Sequence, residues 1–519
     1  MPMEQIGQGG VAPRVRQRPR FAGREGRRRS SLEMIGSSAH WLASAAPGYP
    51  AVRGGMMLRL VMARWPKMRL FLFLWASTSI GLGPGSMAGA ALKAGVARVE
   101  ITPPTGLPMY GYGNRKGTST GILDPLMARA LVLEAGEKRL ALVVLDLGRV
   151  FAPAWIERLR VNAQKSCGMS YVLVAATHTH SGPAIDDDYP PRQGPDWETG
   201  VLGKVSRAIE EAHQHAVGAR IGTGYGVAYI GHNRLRVNPD GTVTWFEVNK
   251  TMIPTAPVDP VVSVLRVDTT EGQPLAILVN YACHPVVFGP DNLQYSADWP
   301  GVMIRTVEQA FTESPVQCMF LQGGAGDINP FYAVTPLGED AVKMRDWTGE
   351  RVGSEAARVA KAVQTERAPN ARLDFAEDVL SFHLRWNPEK FRQALLLSWG
   401  PKAAEQFDRR RQETYPLPVA TVLINNRIAW MTLPGEPFVD FQIDWRNRCP
   451  VRDALFLGYA NGSFGYFPTL RAASLGGYGA ANTATWIEPG AADHMVDHAI
   501  AKVYEMLGRL TDTPEDLKK

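Results

Sequence analysis

The 519-residue chain is long enough for one large domain or two ordinary ones, and its 45% hydrophobic and 20% charged residues are typical of a globular protein. The formal net charge of +6 belongs to the front end. Residues 1–90 hold 13 of the 56 Lys+Arg but only 3 of the 50 Asp+Glu, which leaves 43 basic and 47 acidic residues in 91–519. A charge placed this way excludes a nucleic-acid partner for the globular part.

The front end has the pattern of a leader. Residues 1–66 are Arg-rich without a periodic apolar pattern, so we expect a disordered extension, or an untranslated one if translation begins at a later methionine. Residues 67–90 predict a secretory signal peptide, with basic residues before a short apolar run and the small residues of a cleavage site at Ala88-x-Ala90. An uncleaved N-terminal anchor is the alternative. We therefore expect a secreted or periplasmic domain over 91–512, followed by a tail over 513–519.

Strands and helices alternate through the rest of the chain. The predicted strands are 96–102, 128–135, 140–147, 171–176, 219–230, 242–248, 261–267, 275–282, 316–322, 372–386, 421–433 and 454–459, and the predicted helices are 153–164, 197–216, 301–312, 352–363, 388–411, 439–447 and 491–510. Because hairpins and helical crossovers both occur, this order predicts one large α/β domain in which a mixed β-sheet core is flanked by helices. The sequence shows no internal repeat.

Two histidines follow the buried strand 171–176. The stretch Thr177–Pro183 reads Thr-His-Thr-His-Ser-Gly-Pro, and its Gly-Pro end cannot continue the strand. His178 and His180 therefore lie where a strand meets a loop, which is where α/β sheets bind ligands. Neutral imidazole is the commonest metal ligand, although a pair of histidines satisfied by the core or by solvent is the alternative.

Later strands end in the same way, with polar side chains beside glycine or proline. These ends carry His284, the segment Gly326–Pro330, Glu436, and the loop from Asn461 to Tyr466. If the sheet gathers them, His178, His284 and Glu436 form a His₂–carboxylate set, which suits catalytic zinc because it leaves a position open for water. The metal site is thus predicted at strand ends. The alternative is that each turn merely terminates its strand.

In their order and approximate spacing, these motifs resemble the neutral/alkaline, non-lysosomal ceramidase family from about Ala94 to about Asn482. The resemblance implies a Zn²⁺ site whose ligands are His178, His284, Glu436 and Tyr466. It also implies a catalytic histidine beside the metal at His180, and a functional arginine at Arg234.

Two features depart from the family pattern. The family's Gly-Asp-Val-Ser-Pro-Asn motif, whose serine is assigned as the nucleophile, appears here as Gly-Asp-Ile-Asn-Pro-Phe, with Asn329 at the serine position. We also expect the family's C-terminal immunoglobulin-like domain to be missing after Leu510. Both departures bear on the substrate, whereas the implied zinc ligands are all present.

The sequence therefore predicts an exported zinc-dependent amidohydrolase, ceramidase-like, which cleaves N-acylsphingosine or a related N-acyl lipid by metal-activated water. Asp327 or His180 would carry the proton, Asn329 would donate to the oxyanion, a contribution of about 3 kcal/mol, and Arg234 or Tyr478 would orient the substrate. The alternatives are a zinc hydrolase of another amide or ester in the cell envelope and a non-catalytic metal-binding member. The partner is a small-molecule or lipid substrate, and peripheral membrane contact stays open.

Overall fold

The computed structural model describes residues 90–185, 196–368 and 370–517, which all lie in one compact unit, Gly83–Lys519. The Arg-rich extension 1–66 lies outside the described residues, as does the predicted signal peptide except for its last residue. Those assignments, and the secreted location that depends on them, stay predictions. No helix among the described residues combines the length and the apolar character that crossing a bilayer requires.

The strands vary from two-residue pairs to eleven-residue core strands. In chain order they are β1 Lys93–Glu100, β2 Gly121–Ile122, β3 Met127–Ala135, β4 Lys138–Leu145, β5 Tyr171–Ala176, β6 Val217–Val227, β7 Gly231–Asn233, β8 Leu235–Val237, β9 Val243–Trp245, β10 Val261–Thr269, β11 Pro274–Tyr281, β12 Gln294–Tyr295, β13 Gln317–Gln322, β14 Ile328–Pro330, β15 Glu366–Arg367, β16 Leu373–Phe382, β17 Tyr415–Ile424, β18 Ile428–Thr432, β19 Glu436–Pro437, β20 Asp453–Leu457 and β21 Tyr466–Phe467.

The helices lie mainly between and after the core strands. They are α1 Pro153–Cys167, α2 Asp196–Gln214, α3 Asp298–Gln309, α4 Ala341–Ala362, α5 Pro388–Trp399, α6 Pro401–Arg410, α7 Val439–Arg448, α8 Leu470–Leu475 and α9 Ala491–Met506. Their buried residues recur at helical spacing, so most of them cover a sheet with one apolar face.

One topological unit occurs three times along the chain. In each unit a first strand pairs antiparallel with a hairpin, and a helical crossover then adds a strand parallel to the second hairpin strand. The units are β1, β3–β4 and β5; β6, β10–β11 and β13; and β16, β17–β18 and β20. The first two are joined where β1 meets β6 over only two residue pairs. The expected α/β fold with a mixed sheet is confirmed, and the structure adds that the core consists of three similar four-stranded arrays.

The three arrays share one central core. Their inner faces meet in a single apolar cluster to which all three contribute, for example Leu142, Leu278 and Trp430. Helices α1 and α2 cover the outer face of the first array, α3 and α4 that of the second, and α7 and α9 that of the third. The hairpin and crossover strands of each array are mostly buried on both faces, which explains why they read as continuous apolar runs, whereas the first strands β1, β6 and β16 stay partly exposed.

Many predicted elements differ from the structure by a few residues at their ends, and three show a larger difference. The predicted strand 421–433 is two strands, because Asn425 and Asn426 both adopt positive φ (52° and 54°) and close a tight hairpin. The predicted helix 388–411 is broken into α5 and α6 at Gly400–Pro401. Helix α4 begins eleven residues before the predicted start at Val352, in a stretch whose charged residues hid its buried face.

Candidate metal centre

The predicted metal-binding side chains all follow the parallel strands of the three units. His178 and His180 come after β5, His284 comes after β11, and Glu436 comes after β18 in the short strand β19. Strand β19 pairs with β21 in parallel, and the register sets Glu436 opposite Tyr466. His178, His284 and Glu436 come from three different arrays, so they meet because the arrays pack with these strand ends facing one another.

The structure gathers three histidines and one carboxylate. The Nε2 atoms of His178 and His284 each lie 3.3 Å from Oε2 of Glu436, and Nε2 of His180 lies 3.3 Å from Nε2 of His178. The three imidazoles offer nitrogen atoms that are all within 4.8 Å of one another. Within the described part of the chain, this is the one group of three or more histidine, cysteine or acidic residues with such spacing.

Backbone carbonyl groups orient two of these rings. Nδ1 of His178 donates a hydrogen bond to the Gly148 carbonyl at 2.5 Å, and Nδ1 of His284 donates to the Ala325 carbonyl at 2.5 Å. Because Nδ1 carries the proton in each ring, the opposite Nε2 presents its lone pair towards the cluster. Metal-binding histidines are held in this way, so the donor set fits a metal ion.

Electrostatics favours the ligand forms of these groups. Burial lowers the pKa of His284 to about 3, helped by the positive charge of Arg234. Burial and the neighbouring His178 and His284 lower the pKa of His180 well below its usual range. Burial by itself raises the pKa of Glu436, but contacts with His178 and His284 reverse the shift and the net pKa is well below its ordinary value. At neutral pH, His180 and His284 are therefore neutral and Glu436 is ionised.

Arg234 lies in the same site, only 4% exposed. Its guanidinium donates to the Tyr466 hydroxyl (2.9 Å), to the Asn329 side-chain carbonyl (2.9 Å) and to the Gly326 carbonyl (2.7 Å). The rings of Trp245 and Tyr478 lie 4.8 and 5.6 Å from its central carbon. The arginine thus ties three predicted site residues together while its charge is stabilised by aromatic faces.

Asn329 and Asp327 have different surroundings. The Asn329 amide accepts from Arg234 and donates to the Glu247 carbonyl at 3.1 Å, and Asn329 lines the cavity beside His180. Asp327 instead accepts from the Asn233 amide (2.6 Å) and from the first N–H of α7 (2.9 Å), and it lines a separate, smaller cavity. His180 therefore faces the cavity, whereas Asp327 holds the start of α7.

The cavity in front of the histidines has a volume of about 630 Å³. In every unit, a long connection between the first strand and the hairpin reaches the cavity wall. The first connection contributes Tyr112, the second Trp245 and the third Trp399, so each unit supplies one aromatic ring. Tyr112 belongs to the glycine- and tyrosine-rich segment 109–115, whereas no sequence pattern singles out Trp245 or Trp399.

The first connection packs directly on His180. The rings of Tyr110 and Tyr112 meet the His180 ring edge-on, with centroids 5.5 and 5.1 Å away, and Arg115 donates to the His180 carbonyl at 2.8 Å. Gly111 adopts φ +110°, and a Cβ atom there would lie 2.5 Å from the imidazole ring. Only glycine allows the loop to come this close.

Tyr459 supports the other side of the cluster and was missed by sequence reasoning. Its ring stacks on His178 with centroids 4.0 Å apart, and its backbone adopts φ +56°, which is rare for a bulky residue. The backbone N–H of Tyr459 donates to Gly435, and its carbonyl accepts from Ala176. Tyr459 thus links the strand ends that carry His178 and Glu436.

Comparisons with known proteins agree with the predicted family. Residues 92–336 match the model of the N-terminal part of neutral/alkaline non-lysosomal ceramidases. Neutral ceramidase of Pseudomonas aeruginosa is 26% identical over 285 residues, which cover 49% of this chain and 37% of that protein. Neutral ceramidase of Drosophila melanogaster is 34% identical over 122 residues, which cover 22% of this chain and 17% of that protein. The matches thus span less than two fifths of these relatives.

The fold is also that of a solved ceramidase. The crystal structure of neutral ceramidase from Pseudomonas aeruginosa superposes with a TM-score of 0.64, at 20% sequence identity, over 82% of this chain and 76% of that one. A ceramidase structure complexed with C2 gives the same TM-score at 19% identity. These likenesses concern the fold. Together with the family match over residues 92–336, they confirm the predicted resemblance to the neutral/alkaline non-lysosomal ceramidase family.

Proposed function

We propose that this protein is an exported zinc-dependent amidohydrolase that cleaves the amide bond of an N-acyl lipid, N-acylsphingosine or a close relative. The observation that carries the proposal is the meeting of three imidazoles and the carboxylate of Glu436 beside an aromatic-lined cavity of about 630 Å³. The family resemblance supports the hydrolytic chemistry. An apolar and aromatic wall suits an acyl chain, since burying each CH₂ group contributes about 0.8 kcal/mol.

His178, His284 and Glu436 would hold the zinc ion, with Tyr466 as the fourth protein ligand. Zinc, when bound, supplies activation of water at neutral pH and polarisation of the substrate carbonyl. The carbonyl groups of Gly148 and Ala325 keep the two ligand imidazoles in the required tautomer. Burial keeps His284 neutral, and the contacts with His178 and His284 keep Glu436 ionised, so neither of these two ligands has to lose a proton before it binds a cation.

His180 would move the proton. Its pKa is lowered well below the usual range by burial and by the neighbouring histidines, so it is neutral and able to accept a proton, and its Nδ1 has no hydrogen-bond partner among the described residues. In the reaction, water adds to the amide carbon, the C–N bond breaks, and the proton taken from water goes to the leaving amine. A carboxylic acid and a free amine result.

Arg234 and Asn329 would bind the carbonyl side of the substrate. The guanidinium is fixed by Tyr466 and Asn329 and needs no reorientation during the reaction. A preorganised donor of this kind typically contributes about 3 kcal/mol to the stabilisation of developing negative charge. Hydrolysis of a different amide or ester is a second candidate function, favoured by one observation: Asn329 presents an amide where the family pattern has a serine hydroxyl.

A metal analysis combined with two substrates tests the proposal. The purified chain should contain about one equivalent of zinc, lose turnover in chelator and regain it with Zn²⁺. N-acylsphingosine and a simple N-acyl amide are assayed in parallel. Turnover of the simple amide alone would favour the second candidate, and zinc without turnover of amides or esters would leave a metal-binding protein. His178→Ala should lose both zinc and activity, whereas His494→Ala, an exposed histidine on α9, should keep both.

Export has its own test. Expression with the native front end should yield a periplasmic or secreted product whose N terminus, read by mass spectrometry, is Ala91. A cytoplasmic product that retains residues 67–90 would contradict export without bearing on the hydrolase.

A further inference from the structure

The third connection of the fold, between β16 and β17, is a helical hairpin made of α5 and α6. Its own small core holds Phe391, Leu395 and Phe407. Three other large apolar side chains of α5 face outward instead: Leu396 is 42% exposed, Leu397 80% and Trp399 45%. We call these three residues the α5 tip. Exposed single apolar residues are ordinary, but three within four positions at the end of one helix form a patch.

The α5 tip lies at the mouth of the catalytic cavity. Ser398 and Trp399 line the cavity wall, and the Trp399 ring packs against Gly113 of the first connection. Trp245, which is 36% exposed, lines the same cavity from the second connection. An apolar molecule leaving a lipid phase at the α5 tip would therefore pass along aromatic surface into the site without crossing water.

The hairpin is also locally basic. Residues 388–411 contain six Lys+Arg and three Asp+Glu, a net charge of +3, although residues 91–519 as a whole carry 43 basic and 47 acidic residues. Two of the arginines, Arg392 and Arg411, lie in ion pairs with Asp408 and Glu389, and Lys390 and Lys402 are exposed. Lys402 is the basic residue next to the α5 tip, and the others lie at the far ends of α5 and α6. An apolar tip on a hairpin of net positive charge is a combination that favours an anionic lipid–water interface.

We propose that the α5 tip docks on anionic phospholipid bilayers and thereby sets the mouth of the cavity against the lipid surface. The leucines and the tryptophan enter the headgroup region, Lys402 contacts the lipid phosphates, and the net positive charge of 388–411 attracts the hairpin to the negative surface. Only the role of docking, which is delivery of an N-acyl lipid to the cavity, rests on the proposed function. The binding itself is a property of the hairpin and is measured without any substrate.

The test compares the full chain with a Leu396→Ser/Leu397→Ser variant, since neither leucine lines the cavity. The matched control is Val379→Ser, which removes an apolar side chain of 60% exposure from β16. Co-sedimentation uses vesicles of pure phosphatidylcholine and of phosphatidylcholine with roughly 30–40% phosphatidylglycerol, a composition with the negative surface charge that attracts basic segments. We expect the native chain and the control to bind the anionic vesicles, and the double variant to bind about tenfold more weakly. Raising the salt from about 0.1 to about 0.5 M should weaken native binding.

Two further measurements keep the result specific. Hydrogen exchange on the vesicles should slow in peptides from residues 388–411, which reports the hairpin even if another part of the chain also touches lipid. Turnover of N-acylsphingosine in vesicles should fall in the double variant, whereas turnover of a short, soluble N-acyl amide should not. Native chain that binds vesicles but hydrolyses neither substrate would refute the proposed function and leave docking intact.

Three outcomes would overturn the docking proposal. One is equal vesicle binding and equal exchange in the native chain and the double variant. A second is no native binding to the anionic vesicles. The third is a dimer that the double variant abolishes, because the patch would then be covered by a second copy of the chain.

Discussion

Gly111→Ala is the sharpest test of how the first connection positions His180. The new Cβ would lie 2.5 Å from the imidazole ring, and since non-bonded carbon atoms settle at about 3.5 Å, the ring or the loop has to shift by roughly 1 Å. A displacement of this size at a reacting group costs about 100-fold in rate, or about 2.7 kcal/mol of transition-state stabilisation. We therefore expect kcat/KM for the amide substrate to fall by about two orders of magnitude.

Gly106→Ala provides the matched control for Gly111→Ala. Gly106 lies on the same connection at φ +95°, but no atom lies within 4 Å of a Cβ placed there. Both substitutions put a side chain on a backbone that disfavours it, so each should lower the free energy of unfolding by about 1–2 kcal/mol. Only Gly111→Ala should lose turnover. Zinc content should stay unchanged in both, because His178, His284 and Glu436 are not displaced.

The assay measures kcat/KM, zinc per chain and the urea midpoint for both variants on the same preparation. Equal activity in Gly111→Ala and Gly106→Ala would refute the reasoning, because it would mean that the position of His180 does not matter for the reaction. Loss of zinc in Gly111→Ala alone would also refute it, since that result would make His180 a metal ligand rather than a proton carrier.

Three further predictions concern charges in and near the site. Glu436→Gln removes the ionised carboxylate that contacts two imidazoles, so zinc affinity should fall by at least about 100-fold. A normal zinc content, measured by elemental analysis, would contradict the ligand assignment. Arg234→Met should keep zinc but lower kcat/KM by about 100-fold, and an unchanged rate would exclude the arginine from the reaction. Burial raises the pKa of Asp327 to about 7, so the folded state favours the protonated carboxyl group. The contribution of this group to the unfolding free energy is complete below about pH 4 and is lost as the pH rises through 7. The unfolding free energy of the native chain relative to Asp327→Asn should therefore drop by about 3–4 kcal/mol between pH 4 and 8, and parallel urea profiles across that range would contradict the assigned burial.

The sequence was informative wherever the signal is local. An apolar run that stops at Gly-Pro or His-Pro marks a strand end, and this pattern by itself placed His178 and His284 at strand ends. The class of fold followed from the order of strands and helices. The hairpin at Asn425-Asn426 was equally local, since asparagine is common at positive φ, but the apolar run on both sides concealed it.

The threefold arrangement was not visible in the sequence. The three units share topology but not residues, and each buries its hairpin and crossover strands on both faces, so almost any apolar side chain satisfies a given position there. Repetition of a fold without repetition of side chains leaves no periodic signal. The long connections are still less predictable, because one is a tyrosine loop, one a set of short strands and one a helical hairpin.

The chain's sequence by itself therefore determined most of the core strands and helices, the class of fold and the residues proposed to bind a metal. Only the tertiary structure decided that Asp327 caps a helix while His180 faces the cavity, that Tyr459 supports His178, and that Trp399 reaches the mouth. The physical reason is that strand ends are set by neighbouring residues, whereas which ends meet is set by the packing of three arrays around one core, through contacts between residues hundreds of positions apart.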